Sequence, residues 1–399
     1  MNNYQFPPVS LLCDSPDTGK YQDQETILAM KAKLQGLFEQ FGMNVKVVDC
    51  QALTIALLFK LRLGEKVTTK MVRAMKGDIE AAMEDSVDLK DDEENKKIIF
   101  VTIRDMNRPR IALKELIDSG DFIRCPSKLP VAAGMDFSGG RLILDLEEIG
   151  NLLVIGVTGS GKSVFLSDLI TSILYRSRPD EVQFIFFDFK GVELPLFNGI
   201  PHLMIPSVKT ADDAMRELER LNSTANKRLF LLEMSGKSTF AEYNRSAKDP
   251  LPRIVLIADE YMSLLQGRRQ VSGKFSDLVK HLASTTEKTG IHLVLSTQRP
   301  SAEVVTSEIS EAIPHRVSFF VRTGTDSRIA INRTGAQRLL GEGDMIYADT
   351  RKDTGTHAQA ALITDAEIDR VIEFCSGQIS FGIEEEPSAP SPGAGSPPA

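Results

Sequence analysis

The chain is short of what secreted and membrane-anchored proteins carry. Its 399 residues include four cysteines, Cys13, Cys50, Cys125 and Cys375, widely scattered and with neither a CxxC pair nor metal-ligand spacing. That excludes a disulfide framework and a cysteine metal site, and it points to buried free thiols in a reducing compartment. No apolar run approaches the roughly 18–20 residues needed to span a bilayer, and the N-terminus MNNYQFPPVSLL lacks a signal-peptide core. The expectation is a cytoplasmic protein with no membrane insertion. Positive charge is lacking too. A formal net charge of −8 excludes a broad basic surface for nucleic acid, though not contact through a few basic residues on a small inner surface. What is present, 42% hydrophobic and 26% charged residues, is ordinary for a globular chain, and the length suggests two or three domains.

In the first part of the chain the order of elements is mixed. Ile27, Met30, Leu34, Leu37, Phe38 and Phe41 recur at helical spacing before Gly42. Strands are expected at Val45–Val48, Leu57–Leu63 and Ile98–Ile103, and helices at Val72–Met83 and Leu113–Ser119. The charge run KDDEENKK at 90–97 reads as a solvated loop or helix end. No internal repeat is visible. Residues 1–125 therefore read as a small α+β domain without a catalytic constellation, led by a Pro- and Asp-rich arm packed on the body. From Leu129 the pattern becomes the alternating β and α units of a parallel sheet, continuing to a helix at Asp365–Phe374. Residues 377–399, rich in Pro, Gly, Ser and Ala, read as a disordered tail.

One stretch organises the second part. Gly156-Val157-Thr158-Gly159-Ser160-Gly161-Lys162-Ser163 fits GxxxxGK[ST] without a mismatch, entered by the apolar run Leu152–Ile155 and left, through Val164, with helical spacing. The glycines let backbone N–H groups close around phosphate oxygens, and the positive end of the following helix adds to the attraction. Lys162 would reach the β- and γ-phosphates of ATP, and the Ser163 hydroxyl would ligate Mg²⁺. Downstream, Ile254–Ala258 is an apolar strand ending on Asp259-Glu260. In a phosphate-loop fold such a pair supplies the metal-binding acid, Asp259, and a base that polarises the attacking water, Glu260. Gln298, at the tip of the next apolar strand, could meet the γ-phosphate or the water, or act only as a capping amide.

These residues carry a resemblance. NLLVIGVTGSGKSV, FIFFDFKGVELPLFNGIPHLM, LPRIVLIADEYMSLL, GIHLVLSTQRPSAEVVTSEISEAIPHRVSF and TDSRIAINRTGAQRLLGEGDMIY follow one another as in the FtsK/SpoIIIE DNA translocases. The resemblance covers roughly residues 4–376. It implies a RecA-like P-loop ATPase motor domain over 126–376 preceded by the smaller α-like domain over 1–125. It also implies a homo-oligomer, a hexameric ring around double-stranded DNA, with ATP at the subunit interfaces. The Arg of QRP and the Arg of DSR, here Arg299 and Arg328, would contact the DNA backbone.

Three departures stand against that pattern. An Arg that usually precedes GIHL, the candidate finger reaching the neighbour's ATP, is Glu287 here, with Lys288, Arg322 and Arg316 as other candidates. Basic residues expected before A-x-I-P and four residues ahead of Arg328 are Ser310-Glu311 and Gly324, and each lost phosphate contact lowers the salt slope of DNA binding by roughly 0.9. The family's N-terminal membrane segment and C-terminal winged-helix domain have no counterpart in the sequence. The leading expectation is an ATP-driven DNA translocase in chromosome segregation or mobile-element transfer. A protein-secretion ATPase of the type VII kind and a weakly catalytic regulatory ring are the alternatives.

Overall fold

The computed structural model describes residues 4–15, 24–52, 56–92, 95–104, 110–191, 194–265, 269–352 and 354–378. The first body is one four-stranded antiparallel sheet with helices on one side. Helix α1 (Gln24–Gln40) buries Met30, Leu34 and Phe38, and Gly42, at φ 63°, lets the chain reverse so that Met43 N–H bonds the Phe38 carbonyl. Strands β1 (Val45–Ala52) and β2 (Ala56–Leu63) follow. The single helix expected at 72–83 is two, α2 (Thr69–Ala74) and α3 (Lys76–Met83), parted at Met75, whose ψ of 6° leaves the helical range. The apolar stripe survives the break, because Val72, Met75, Ile79 and Met83 are all buried. Strands β3 (Ser86–Asp91) and β4 (Ile98–Arg104) close the sheet in the order β1-β2-β4-β3. Part of the charge run thus lies in β3, an edge strand, where one side faces water and admits Lys90 and Asp91.

The second body begins with β5 (Ile111–Ala112), α4 (Leu113–Ile117) and α5 (Gly120–Arg124). The sequence groups these with the first body, but β5 pairs with a strand of the larger sheet and Leu113, Leu116 and Phe122 join that sheet's core. Next come β6 (Pro130–Asp136), β7 (Arg141–Asp145), α6 (Leu146–Ile149), β8 (Leu152–Ile155), α7 (Lys162–Leu174) and β9 (Val182–Asp188). Helix α8 (Ala211–Ser235) starts on the Thr210 side-chain cap and stops at Gly236, φ 63°. Then follow α9 (Phe240–Ser246), β10 (Arg253–Asp259), α10 (Met262–Leu265), α11 (Arg269–Ser284), α12 (Thr286–Thr289) and β11 (Ile291–Thr297). The chain ends with α13 (Ser307–Ala312), β12 (His315–Ser318), α14 (Gly324–Ile331), β13 (Asp344–Asp349), β14 (Thr354–Leu362) and α15 (Asp365–Ser376).

Five strands run parallel in the order β12-β8-β11-β10-β9, buried on both faces by apolar side chains. The sheet is not wholly parallel as expected: β13, β14, β6 and β7 extend it from β12 in antiparallel pairs. The core on one face includes Phe165, Leu169 and Ile173 of α7; the other includes Leu218 and Leu221 of α8 with Phe275 and Val279 of α11. The N-terminal arm does lie on this body. Tyr175 Oη donates to the Pro8 carbonyl, and Arg370 Nε donates to the Leu11 carbonyl. The buried-thiol expectation holds only for Cys375. Cys13 is exposed because it lies in the arm, while Cys50 and Cys125 are half-buried, and all four are free. Among the described residues no helix is long and apolar enough to cross a membrane. The tail at 379–399 lies outside the described residues.

Candidate nucleotide site

Parallel order places the carboxyl ends of β8, β11 and β10 side by side, the position where open α/β sheets bind ligands. The strand from β8 turns into α7 through residues 156–161, and the turn is tight. Gly156 N–H donates to the Thr297 carbonyl and Val157 N–H to that of Phe320, tying the loop to the strands on either side. Gly159 and Gly161 have φ of 79° and 107°, where a side chain is strained. A Cβ at Gly161 would stand 2.6 Å from the Gly343 nitrogen.

That contact exposes a part of the site that the sequence marks only as a family signature. Residues 341–343 lie directly behind the phosphate loop, and Gly343 N–H donates to the Ser160 carbonyl at 2.9 Å. Gly341 and Gly343 take φ of 80° and 90° to make the turn. The signal in LLGEGDM could have pointed to a close backbone approach, but nothing in spacing says what is approached.

The Lys162 side chain, 3% exposed, donates to Asp259 Oδ1 at 2.5 Å and to Ser296 Oγ at 3.0 Å. The Ser296 hydroxyl donates to the same Asp259 oxygen at 2.6 Å. Burial alone would raise the Asp259 pKa. The Lys162 charge and hydrogen bond, the Ser296 hydrogen bond and the Lys190 charge outweigh it and hold the carboxyl below its usual range. Ser163 is half-buried at the start of α7. Hydroxyl and carboxylate are hard oxygen donors of the kind Mg²⁺ takes. Both hydrogen bonds to Asp259 fall on Oδ1, so Oδ2 can serve as that donor. These residues fit the ion.

Glu260 directly follows β10 with φ 49°, an uncommon conformation for a residue with a side chain. Its carboxylate accepts Thr297 Oγ1–H at 3.0 Å and Gln298 N–H at 3.2 Å, and Lys190 Nζ stands 3.6 Å away. The Gln298 amide oxygen accepts from Thr158 Oγ1 at 3.0 Å, which brings it over the phosphate loop. Lys162, Asp259, Glu260 and Gln298 are therefore brought together from three strand ends, with Lys190 added from the segment after β9.

The remaining candidates lie elsewhere. Arg299 is exposed just beyond β11. Arg328 is exposed on α14 and lines a cleft of about 460 Å³ with Ser310, Glu311, Asn332 and Arg351. Glu287 and Lys288 are exposed on α12, and Arg322 is exposed beyond β12. Arg316 is not available as a finger. It is 2% exposed, and its guanidinium donates to the carbonyls of Ser310, Ile313, Ile329 and Ala330 and to Ser310 Oγ. Ser310, read as a lost channel contact, instead gives its side chain to this internal bond.

A parallel β12-β8-β11-β10-β9 core, a glycine turn capped by a lysine, and an acid pair two strands away define a P-loop NTPase. Residues 112–302 match the FtsK/SpoIIIE family and residues 6–103 the FtsK alpha domain. The chain belongs to the FtsK/SpoIIIE family. It is 32% identical to the DNA translocase FtsK of Listeria monocytogenes over 394 residues, covering 96% of this chain and 52% of that protein. With the DNA translocase SpoIIIE of Bacillus subtilis the identity is 31%, covering 96% of this chain and 50% of the relative. The chain thus spans about half the length of the curated relatives it matches. Among solved structures, the pCW3 conjugation coupling protein TcpA with ATPγS is similar at TM-score 0.61 and 21% identity, over 86% of this chain and 99% of that one. The cytoplasmic domain of the Thermomonospora curvata type VII secretion ATPase EccC is similar at 0.57 and 20%, over 67% of this chain and 34% of that one.

Proposed function

We propose that this chain is the motor of an ATP-driven double-stranded DNA translocase, working as a hexameric ring in the cytoplasm. The observation that carries the proposal is the convergence of Lys162, Asp259, Glu260 and Gln298 at the strand ends, in a chain a third identical along nearly its whole length to proteins named DNA translocases. The first body would serve as the α domain and the body around the large sheet as the motor, with the parting between residues 104 and 110.

In this reading the backbone N–H groups of 156–164 receive the phosphates, and Lys162 leaves Asp259 for the β- and γ-oxygens. Ser163 and Asp259 would hold Mg²⁺, which when bound neutralises developing phosphate charge. Glu260, fixed by Thr297 and Gln298, takes the proton of the attacking water, and the Gln298 amide orients that water or the γ-phosphate. Arg299 and Arg328 track DNA phosphates without reading bases. With Arg316 engaged internally, Lys288 and Arg322 are the cations left to reach a neighbour's nucleotide. Lysine meets phosphate as a point charge rather than a fork, so turnover is slow for the family if Lys288 rather than Arg322 fills the role.

The test is hydrolysis by the purified chain with and without duplex DNA. A many-fold rise with DNA, lost in Lys162→Ala, is expected. Turnover indifferent to DNA, with no binding at low salt, would reject the translocase and leave the regulatory ring.

A further inference from the structure

Ser296 stands near the carboxyl end of a strand whose other central residues are apolar. It lies on β11, between the strand that ends in the phosphate loop and the strand that ends in the acid pair, and its side chain is fully buried. Its hydroxyl meets three groups. It donates to Asp259 Oδ1 at 2.6 Å, accepts from Lys162 Nζ at 3.0 Å, and accepts a long bond from Glu260 N–H at 3.4 Å. One proton and two lone pairs are all that a serine hydroxyl has, so its capacity is filled.

Once Lys162 moves to a phosphate, Asp259 loses its cation, and the hydroxyl of Ser296 is the side-chain donor left on its Oδ1. That donor keeps the carboxylate plane from turning about its terminal torsion, which is otherwise broad. The Ser296 hydroxyl oxygen also accepts from the backbone N–H of Glu260, a residue held at a left-handed φ of 49°. One hydroxyl therefore joins the metal-binding acid to the general base.

We infer that Ser296 is a positioning residue for hydrolysis, holding Asp259 and Glu260 in register with each other throughout the cycle. This rests on the functional reading above. Its action is on the acids, and hence on the response to Mg²⁺, rather than on the grip of the phosphate loop. Ser296→Ala should lower kcat by about tenfold, the worth of one hydrogen bond to a charged group. It should raise the Mg²⁺ concentration that half-saturates both hydrolysis and binding of a fluorescent ATP analogue by several-fold. Affinity for the analogue in EDTA should stay within about twofold of the parent, since no phosphate-loop amide is touched.

Ser296→Cys, close in size but a poor hydrogen-bonder, should behave like the alanine variant, and Ser296→Thr should recover most of the loss. A purely packing role would reverse that order, favouring cysteine over threonine. Thermal unfolding of each variant identifies any that is misfolded, and the cysteine variant then decides in place of alanine. An unchanged Mg²⁺ response overturns the inference, as does a loss of affinity in EDTA equal to that in Mg²⁺. If the parent chain does not hydrolyse ATP, the functional reading fails on its own, and analogue binding against Mg²⁺ still tests Ser296.

Discussion

Replacing Arg316 with methionine separates two roles that a sequence cannot tell apart. As a finger reaching a neighbouring subunit, Arg316 would matter for turnover and little for folding. In the structure it is a strut: the guanidinium joins the last turns of α13 and α14 to the start of β12 through four carbonyls and a hydroxyl. Methionine fills much of the volume of the stem but donates nothing. Five lost bonds at about 1 kcal/mol each give an upper figure near 5 kcal/mol. Water reaching the helix-end carbonyls, and relief from burying a charge whose pKa burial pushes down to about 10, reduce it. A loss of about 3 kcal/mol remains, on the order of 10 °C in unfolding midpoint for a body of this size. Thermal and urea unfolding measure it directly. A variant that keeps its unfolding midpoint within a few degrees yet loses hydrolysis would refute the strut.

Glu287→Arg, on the exposed face of α12, should leave the unfolding midpoint unchanged and speed hydrolysis if the cation from the neighbour is the missing part; unchanged turnover in a steady-state assay would assign the role to Lys288 or Arg322. Two buried histidines should cost the chain stability in mild acid. Burial holds His202 and His292 at a pKa of about 4, below the ordinary 6.5, while their ring N–H groups bond the carbonyls of Ser177 and Gly150. A base with a depressed folded pKa protonates first in the unfolded chain, so stability falls from about pH 6.5 towards pH 4, by roughly 2 kcal/mol per histidine at pH 5. Urea midpoints at pH 7 and 5 compare the chain with His292→Gln, which should lose less on acidification; the same fall in both would contradict it, since Asp168, whose carboxyl pKa burial raises, acts in the opposite sense equally in each.

The motor half of the fold was legible where apolar strands run uninterrupted. VLIA before Asp259 and HLVLST before Gln298 are buried on both faces, so hydrophobicity alone marks them. The antiparallel extension was not. Strand β14 reads TGTHAQAAL, whose small and polar residues form neither an apolar run nor a period-two stripe. The end of β3 likewise lies in the charge run, admitted there because the strand is an edge. At the site, Lys162, Asp259 and Glu260 were readable from motif chemistry. Ser296, Lys190 and Gly343 were not, since their parts depend on which strand ends and turns meet across long separations in the chain. Arg316 shows the converse error: a charge in the right neighbourhood of sequence, turned inward by the fold.

The left-handed backbone at Glu260 sets a direction for drift. Holding a non-glycine residue at φ 49° costs about 1 kcal/mol that glycine would not incur. A chain with glycine there would be relieved of that strain and keep its phosphate loop, but it would lose the carboxylate that Thr297 and Gln298 hold. At this one position backbone ease and the retained carboxylate pull against each other. A lineage relieved of the need to hydrolyse ATP would be expected to change here first, into a chain that binds nucleotide and does not spend it.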